Sequence, residues 1–371
     1  MRLGKRVIRF ILVIQSILFL THFLLYKTWT FSSVGPNLGS TLWERTAVVV
    51  LSISFVAASL LAFRYTNWLV RAFYRAAAVW LGLLSFLAFA AFFSWFFFAI
   101  SRVAGFSPDF HLIAKVSFGV ALLIGIVALV NAGLTRITRV SVRLANLPAA
   151  WRGRRAALVS DLHLGHVRNG GFLRRIVEKL VNEQPDIIFI PGDLYDGTAI
   201  DAHRAAQPLS ELKAPQGVYF VAGNHEQFGD DSRYLSAVES AGVRVLRSEK
   251  VDVDGLQILG VPFNAASNPG SLQAVLHNLS PKSDRASILL THAPDHPEVA
   301  EAAGISLQLS GHTHLGQFVP WSWIARRIYG PFVYGLSRIG KMQLFTSSGV
   351  GTWGPPLRLG SNPEILILQF E

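Results

Sequence analysis

The amino-terminal third of the chain is dominated by four apolar runs that are longer than strands. They cover about residues 7–26, 47–63, 79–100 and 112–132. Each run is close to the roughly 20 residues that cross about 30 Å of hydrocarbon as a helix. Buried helices of a soluble protein rarely run this long without a charge. The pattern therefore predicts a transmembrane domain of four helices within residues 1–150.

From Ala156 onward, short apolar runs alternate with amphipathic stretches. The runs that predict strands cover 156–160, 186–190, 217–221, 243–246, 256–260, 287–290, 306–309, 343–347 and 364–370. Helix-like segments cover 172–182, 232–241 and 272–279. Continuous apolar strands are typical of sheets that are covered on both faces, and the hairpin-like spacing of the later strands indicates a mixed sheet. The prediction is an α/β domain over residues 151–371.

The charges are distributed unequally between these two parts. The chain is 51% apolar and only 15% charged, with a net charge of +11. Residues 1–150 hold 14 Lys and Arg but two acids, whereas the remainder holds 20 bases and 21 acids. Because the basic excess belongs to the apolar part, no nucleic-acid partner is expected. The chain has no cysteine, which excludes disulfides, thiolate metal sites and cysteine nucleophiles.

The bases outside the apolar runs predict how the chain crosses the membrane. They cluster before the first run, after the second and after the fourth, while the opposite loops hold little more than Lys27, Arg45 and Arg102. By the positive-inside rule, the amino terminus and residues 151–371 are expected in the cytoplasm. This predicts a multi-pass cytoplasmic (inner) membrane protein. Both acids of this part lie in loops, and His22, Lys27 and Lys115 lie near span ends, so the predicted role of the helices is anchoring. Residues 64–75 could be an amphipathic surface helix or a polar loop.

Polar side chains follow five of the predicted strands. These residues are Asp161 and His163, Asp193, Asn224 and His225, His292, and His312 and His314. Ligands of open α/β sheets bind at the carboxyl ends of strands, and residues two apart in an extended segment project the same way. Carboxylate, amide and imidazole groups are oxygen and nitrogen ligands for divalent metals. The pattern predicts a metal-binding cleft.

The order of these motifs resembles the calcineurin-like metallophosphoesterases. The family pattern appears as DLH at 161–163, GD at 192–193, GNHE at 223–226, His292, and GHTH at 311–314. The resemblance spans about residues 155–371 and is closest to a membrane-associated bacterial branch. That branch is indicated by THAPD at 291–295, GHTHLGQ at 311–317 and GTWGPPLRLGSNPEI at 351–365. Leu315 stands where the branch usually has a second glycine, and the apolar part is outside the family pattern.

The resemblance implies a sandwich of two mixed sheets flanked by helices, with two divalent metal ions (Mn, Fe or Zn). One ion would bind Asp161, His163 and His314, and the other Asn224, His292 and His312, with Asp193 bridging both. Metals roughly 3.5 to 4 Å apart can activate water and clamp the attacking and leaving oxygens of a displacement. His225 would stabilise the transition state or protonate the leaving group. The alternative is that His225 only orients Asp161.

Two further features bear on the substrate. Arg358 could bind a substrate phosphate, or it could pair with a carboxylate of the protein. Between the last metal motif and the next strand, residues 318–342 interleave aromatic residues with four bases. Tryptophan and tyrosine favour the membrane interface and bases favour anionic headgroups, although the same residues could pack as ordinary hydrophobic filling.

The expected function is hydrolysis of a phosphoester or pyrophosphate bond, in a phosphorylated lipid or lipid-linked substrate, by an enzyme that also contacts membrane lipids. A UDP-diacylglucosamine-type pyrophosphatase is one candidate that the resemblance implies. Two alternatives stay open: a phosphodiesterase of soluble nucleotides, and a metal-binding membrane receptor or scaffold without turnover.

Overall fold

A computed structural model describes residues 5–32, 42–227 and 231–371. The chain divides into two compact units. The first comprises Met1–Val130 with Gly354–Leu357, and the second comprises Asn131–Trp353 with Arg358–Glu371. The second unit begins ahead of the predicted boundary at residue 150, because residues 136–142 form a strand of its first sheet.

Four long helices make up the helical part of the first unit. They are α1 (Lys5–Ser32), α2 (Leu42–Ala62), α3 (Trp68–Val103) and α4 (Phe110–Asn131). All four are long and apolar enough to cross a membrane, which confirms the predicted set of apolar helices. Asn67 caps α3 by accepting a hydrogen bond from the Val70 amide at 3.0 Å. The residues from Trp68 onward therefore belong to α3 and not to a separate surface helix or loop.

Two buried polar side chains of α1 are paired with tryptophans of α3. The Trp80 indole donates to His22 Nε2 at 2.9 Å, and the Trp95 indole donates to Thr28 Oγ1 at 3.0 Å. His22 is 3% exposed and lies inside the apolar stretch Ile8–Phe31, deeper than the sequence suggested. Pairing offsets the cost of placing polar groups in apolar surroundings.

The second unit contains two six-stranded sheets. Its strands are β1 (Arg136–Val142), β2 (Arg155–Leu158), β3 (Ile187–Ile190), β4 (Val218–Phe220), β5 (Arg244–Val245), β6 (Glu249–Val253), β7 (Leu256–Gly260), β8 (Ser287–Leu290), β9 (Leu307–Ser310), β10 (Gly335–Ile339), β11 (Met342–Thr346) and β12 (Glu364–Phe370). The first sheet has the order β1-β12-β2-β3-β4-β5, and the second has the order β10-β11-β9-β8-β7-β6. Each sheet contains both parallel and antiparallel pairs, so both are mixed, as predicted.

Helices cover the outer face of each sheet. They are α5 (Gly170–Glu183), α6 (Ala202–Ala206), α7 (Ser232–Ser240), α8 (Phe263–Ala266), α9 (Pro269–Leu279) and α10 (Pro297–Ala302). A further helix, α11 (Trp321–Tyr329), packs with Leu315 and Val333 instead. Strand β3 shows why its sequence is continuously apolar. Ile188 and Ile190 pack toward helices α5 to α7, while Ile187 and Phe189 pack between the two sheets. Successive side chains point to opposite faces, and both faces are buried.

Candidate metal centre

The predicted ligands lie at the carboxyl ends of two sets of neighbouring strands. In the first sheet β2, β3 and β4 are adjacent and parallel, and in the second β8 and β9 are adjacent and parallel. The loops that follow these five strands carry all eight predicted polar residues. Parallel strands end at the same edge of their sheet, so the loops of each set meet.

One group of ligand atoms joins the end of β2 to the loop after β9. His163 Nε2 lies 2.9 Å from His314 Nε2, and His314 Nε2 lies 3.5 Å from Asp161 Oδ1. All three residues are buried. Their ligand atoms are close enough together to hold one ion.

A second group joins the end of β3 to β8 and β9. His292 Nε2 lies 3.1 Å from Asp193 Oδ2 and 3.0 Å from His312 Nδ1. Asp193 Oδ2 also lies 3.8 Å from His163 Nε2 in the first group. This carboxylate oxygen therefore faces both groups. The Asn224 amide oxygen is buried and, among the described residues, has no hydrogen-bond partner.

The oxygen and nitrogen ligand atoms of these groups fit divalent metal ions. Burying a carbonyl oxygen such as Asn224 Oδ1 without a partner is costly unless something binds it. The His292 Nδ1 hydrogen bonds to the Pro191 carbonyl at 2.8 Å, which places Nδ1–H as the donor and leaves Nε2 toward Asp193. Fixing one imidazole nitrogen on a carbonyl while the other faces the metal is the usual arrangement of a histidine ligand.

Burial and neighbouring charges together set the protonation of this centre. It lowers the pKa of His163 and His314 well below the usual value and that of His312 to about 3. These imidazoles are thus neutral, the form that binds metal. Burial also raises the pKa of Asp161 to about 6. At Asp193 burial acts in the same direction, but the charge and hydrogen bond of His292 outweigh it and lower the carboxyl pKa.

The backbone is strained at most of the predicted ligands. Five of the seven have a positive φ between 49° and 71°: Asp161, His163, Asp193, His312 and His314. A side chain disfavours this left-handed region, and such residues cluster at functional sites. The turn before Asp193 needs glycine because Gly192 has φ of 90°, and a Cβ there would lie 2.6 Å from the Gly223 amide nitrogen.

Glu226 connects two of the ligand loops. Its buried carboxylate accepts hydrogen bonds from the backbone amides of Asp193, Tyr195 and Gly223, at 2.8 to 3.0 Å. The loop after β3 and the loop after β4 are thereby fixed to each other. Glu226 stands beside the motif residues in sequence, but only the structure reveals these three bonds.

His225 points one nitrogen at the centre. Its Nδ1 hydrogen bonds to the Asp196 carbonyl at 2.9 Å, and its Nε2 lies 3.9 Å from Asp193 Oδ2. A carbonyl only accepts, so Nδ1 carries the proton. The exposed ring of Trp353 lies 6.1 Å from the His225 ring, centroid to centroid. Sequence reasoning did not single out Trp353, although it stands in the closing GTWG motif.

Arg358 lies behind the first ligand group. Its guanidinium is fully buried and donates to the His314 carbonyl at 2.9 Å and the Gly351 carbonyl at 2.6 Å. A further contact of 2.9 Å joins Nη2 to His314 Nδ1. These bonds favour a role in holding His314 over direct contact with a substrate phosphate. The substrate contact stays a prediction.

A family model described as calcineurin-like phosphoesterase matches residues 154–316. Similar proteins include an uncharacterized metallophosphoesterase of Aquifex aeolicus, 32% identical, with 68% of this chain and 98% of that protein aligned. The chain therefore belongs to the calcineurin-like metallophosphoesterase family. It is a metal-dependent phosphoesterase by class, and the predicted family is confirmed.

Other relatives share part of their length with the chain. An uncharacterized metallophosphoesterase of Campylobacter jejuni is 29% identical over 71% of this chain and 72% of its own length. A bovine transmembrane protein with metallophosphoesterase domain is 33% identical over 67% of this chain and 61% of its own length. The name of the bovine protein and the four apolar helices of this chain together indicate a membrane protein.

Proposed function

We propose that the chain is a membrane-anchored phosphoesterase that uses two divalent ions to hydrolyse a phosphoester or pyrophosphate bond of a lipid or lipid-linked substrate. The observation that carries this proposal is the position of Asp193 Oδ2. It faces both groups of ligand atoms, at 3.8 Å and 3.1 Å, with His225 Nε2 at 3.9 Å.

Asp161, His163 and His314 would hold one ion, and Asn224, His292 and His312 the other, with Asp193 shared. When bound, the ions would supply Lewis-acid and water-activating chemistry. A set of oxygen and nitrogen donors accepts Mn, Fe or Zn according to availability. Arg358 and Glu226 keep the ligand loops in place through the bonds described above.

His225 is proposed to act on the reacting phosphate. Its Nδ1–H bond to the Asp196 carbonyl sets the ring so that Nε2 faces the shared carboxylate. When the ring is protonated on both nitrogens, its Nε2 proton could stabilise charge on the phosphate or pass to the leaving oxygen. The hydrogen bond of Nδ1 to Asp196 and the approach of Nε2 to Asp193 support this role over orientation of Asp161.

A lipid substrate is favoured by two features of the chain. Four helices of membrane-spanning character tether the chain. Trp353, whose side chain is 59% exposed, flanks His225. A UDP-diacylglucosamine-type pyrophosphatase is the particular candidate that the family resemblance suggests.

The test is turnover by the detergent-purified full chain with added Mn²⁺ or with chelator. The substrates are an aryl phosphodiester, a nucleotide-linked lipid pyrophosphate and a cyclic nucleotide, with Asp193→Ala as the blank. We expect metal-dependent turnover with preference for the lipid. Preference for the cyclic nucleotide would support a soluble-nucleotide phosphodiesterase. Turnover no higher than the blank, with metals bound, would support a receptor or scaffold.

The proposed location of residues 151–371 is the cytoplasmic side of the inner membrane. This rests on the distribution of bases in the loops between the apolar helices. A reporter fused after Glu371 should be active only in the cytoplasm, and activity confined to the outside would contradict the proposal.

A further inference from the structure

Helix α11 has two apolar faces, of which only one packs against the protein. The packed face consists of side chains three and four positions apart, Ser322, Ala325 and Tyr329, which are buried or half-buried. The second face has the same spacing but is exposed. It consists of Trp321 (51% exposed), Ile324 (47%) and Ile328 (67%). Residues at this spacing lie on one side of a helix, so they form a continuous apolar stripe, which we term the α11 stripe.

Bases accompany the α11 stripe in a part of the sequence that has no acids. The chain has no Asp or Glu between Glu301 and Glu364. Arg326 and Arg327 are exposed on α11, and Arg338 is exposed on β10. Trp323 is 62% exposed and shares a side of the helix with Arg327, four positions later. An apolar stripe bordered by tryptophan and arginine is complementary to a membrane surface that carries negative headgroups.

The packed face of α11 touches the metal-ligand loop. The Tyr329 ring lies 6.1 Å from the ring of His312, centroid to centroid. Ala325 and Tyr329 pack with Leu315, which adjoins His314. Leu315 adopts a φ of 50°, a conformation that glycine adopts more readily, and burial of its side chain against α11 offsets this cost.

We propose that the α11 stripe lies in the headgroup layer of a bilayer that contains anionic phospholipids, beside the metal centre. The apolar side chains enter the boundary between headgroups and acyl chains, and the arginines bind lipid phosphates. A lipid substrate then reaches the ligand loops from the layer in which α11 rests. Only this last step depends on the proposed lipid-hydrolysing function.

The absence of cysteine from the chain permits a direct test with single labels. Ile324→Cys and, as the control, Ser240→Cys on the exposed side of α7 are made in the full chain and labelled with an environment-sensitive fluorophore. Both are reconstituted into vesicles of phosphatidylcholine and phosphatidylglycerol. Quenching by a spin-labelled phospholipid is compared with quenching by iodide.

We expect the label at residue 324 to be quenched by the lipid and shielded from iodide, and the label at residue 240 to behave oppositely. The double variant Arg326→Gln, Arg327→Gln should lower the equilibrium constant for docking of the stripe on the bilayer. The expected loss is roughly fivefold for each arginine removed, as for bases at an anionic leaflet. High salt should act in the same direction. Equal iodide quenching at both positions would overturn the proposal. Shielding of residue 324 from both quenchers would also overturn it, because a protein would then cover the stripe.

The quenching result is independent of turnover, so the two proposals can fail separately. Lipid quenching at residue 324 without hydrolysis of any lipid would keep the docking surface and reject the lipid substrate. Hydrolysis of a lipid with residue 324 open to iodide would keep the substrate and reject the docking surface.

Discussion

Two buried polar sites, one in each unit of the chain, are built in opposite ways. In the helical unit, two donor–acceptor pairs join α1 to α3: the Trp80 indole donates to His22, and the Trp95 indole donates to Thr28. In the sheet unit, imidazole nitrogens and carboxylate oxygens converge instead. His163 and His314 bring their Nε2 atoms to 2.9 Å, and Asn224 Oδ1 has no partner among the described residues.

This difference separates buried polar groups that stabilise the fold from buried polar groups that can bind a metal. A donor matched to an acceptor satisfies both groups and needs nothing more. Several acceptors that face one another are satisfied only by an added cation. The strained backbone points the same way, because five predicted ligands adopt a positive φ. The comparison therefore assigns the metal chemistry to the sheet unit and a packing role to the buried polar pairs of the helical unit.

The largest effect is expected from Asp193→Ala. The shared carboxylate is lost, so both the metal content and the turnover should fall. Mutation of residues that only orient a ligand already lowers metal affinity or activity by about 10- to 100-fold. We therefore expect Asp193→Ala to lower activity by at least about 100-fold. Elemental analysis and turnover measure it, with His203→Ala on the exposed side of α6 as the control. Full metal content in Asp193→Ala would contradict the bridging role.

His225→Ala should separate metal binding from chemistry. Proton transfer by a positioned side chain contributes about 10²- to 10⁴-fold, so kcat should fall by that range while the metal content stays at the wild-type value. Single-turnover rates and elemental analysis measure the two quantities. If metal and activity are lost together, His225 would instead act by orienting the ligands.

Arg358→Gln distinguishes the two roles of the buried guanidinium. If Arg358 holds His314, metal affinity should fall by about 10- to 100-fold, with KM nearly unchanged at saturating metal. If it binds substrate, KM should rise at unchanged metal affinity. Competition with a chelator measures the metal affinity. Arg174→Gln, at an exposed position of α5, is the matched control.

The smallest effect is expected from Trp80→Phe, which removes the donor to His22. Hydrogen bonds between membrane helices contribute about 0.6 to 2 kcal/mol, so the variant should unfold at a slightly lower temperature in detergent, with metal content unchanged. Trp43→Phe, at an exposed position of α2, is the control. A loss of metal or turnover in Trp80→Phe would give the helical unit a part in the chemistry.

The strands with continuous apolar sequence were predictable because both of their faces are buried. Strand β1 could not be predicted in this way because it lies at an edge of its sheet. Of its seven residues, two are exposed arginines and one is a half-exposed threonine. Strands β6 and β10 lie at the two edges of the second sheet and for the same reason were not predicted. Helix α11 escaped prediction because apolar residues on two of its faces, with bases between them, obscure the helical period.

The ligand types were visible in the sequence, but their atomic arrangement was not. That His312 presents Nδ1 to His292 while His314 presents Nε2 to His163 depends on side-chain torsions that no spacing encodes. Likewise, Arg358 reaches His314 across 44 residues of sequence. Only the folded chain shows that this arginine is enclosed behind a ligand.

The most direct test of the account is titration of the metal-free protein with Mn²⁺, followed by electron paramagnetic resonance. The account predicts two ions per chain with a spin-coupled spectrum, because Asp193 would join them, and loss of the coupling in Asp193→Ala. A single ion per chain, or two ions with uncoupled six-line spectra in the wild type, would contradict it.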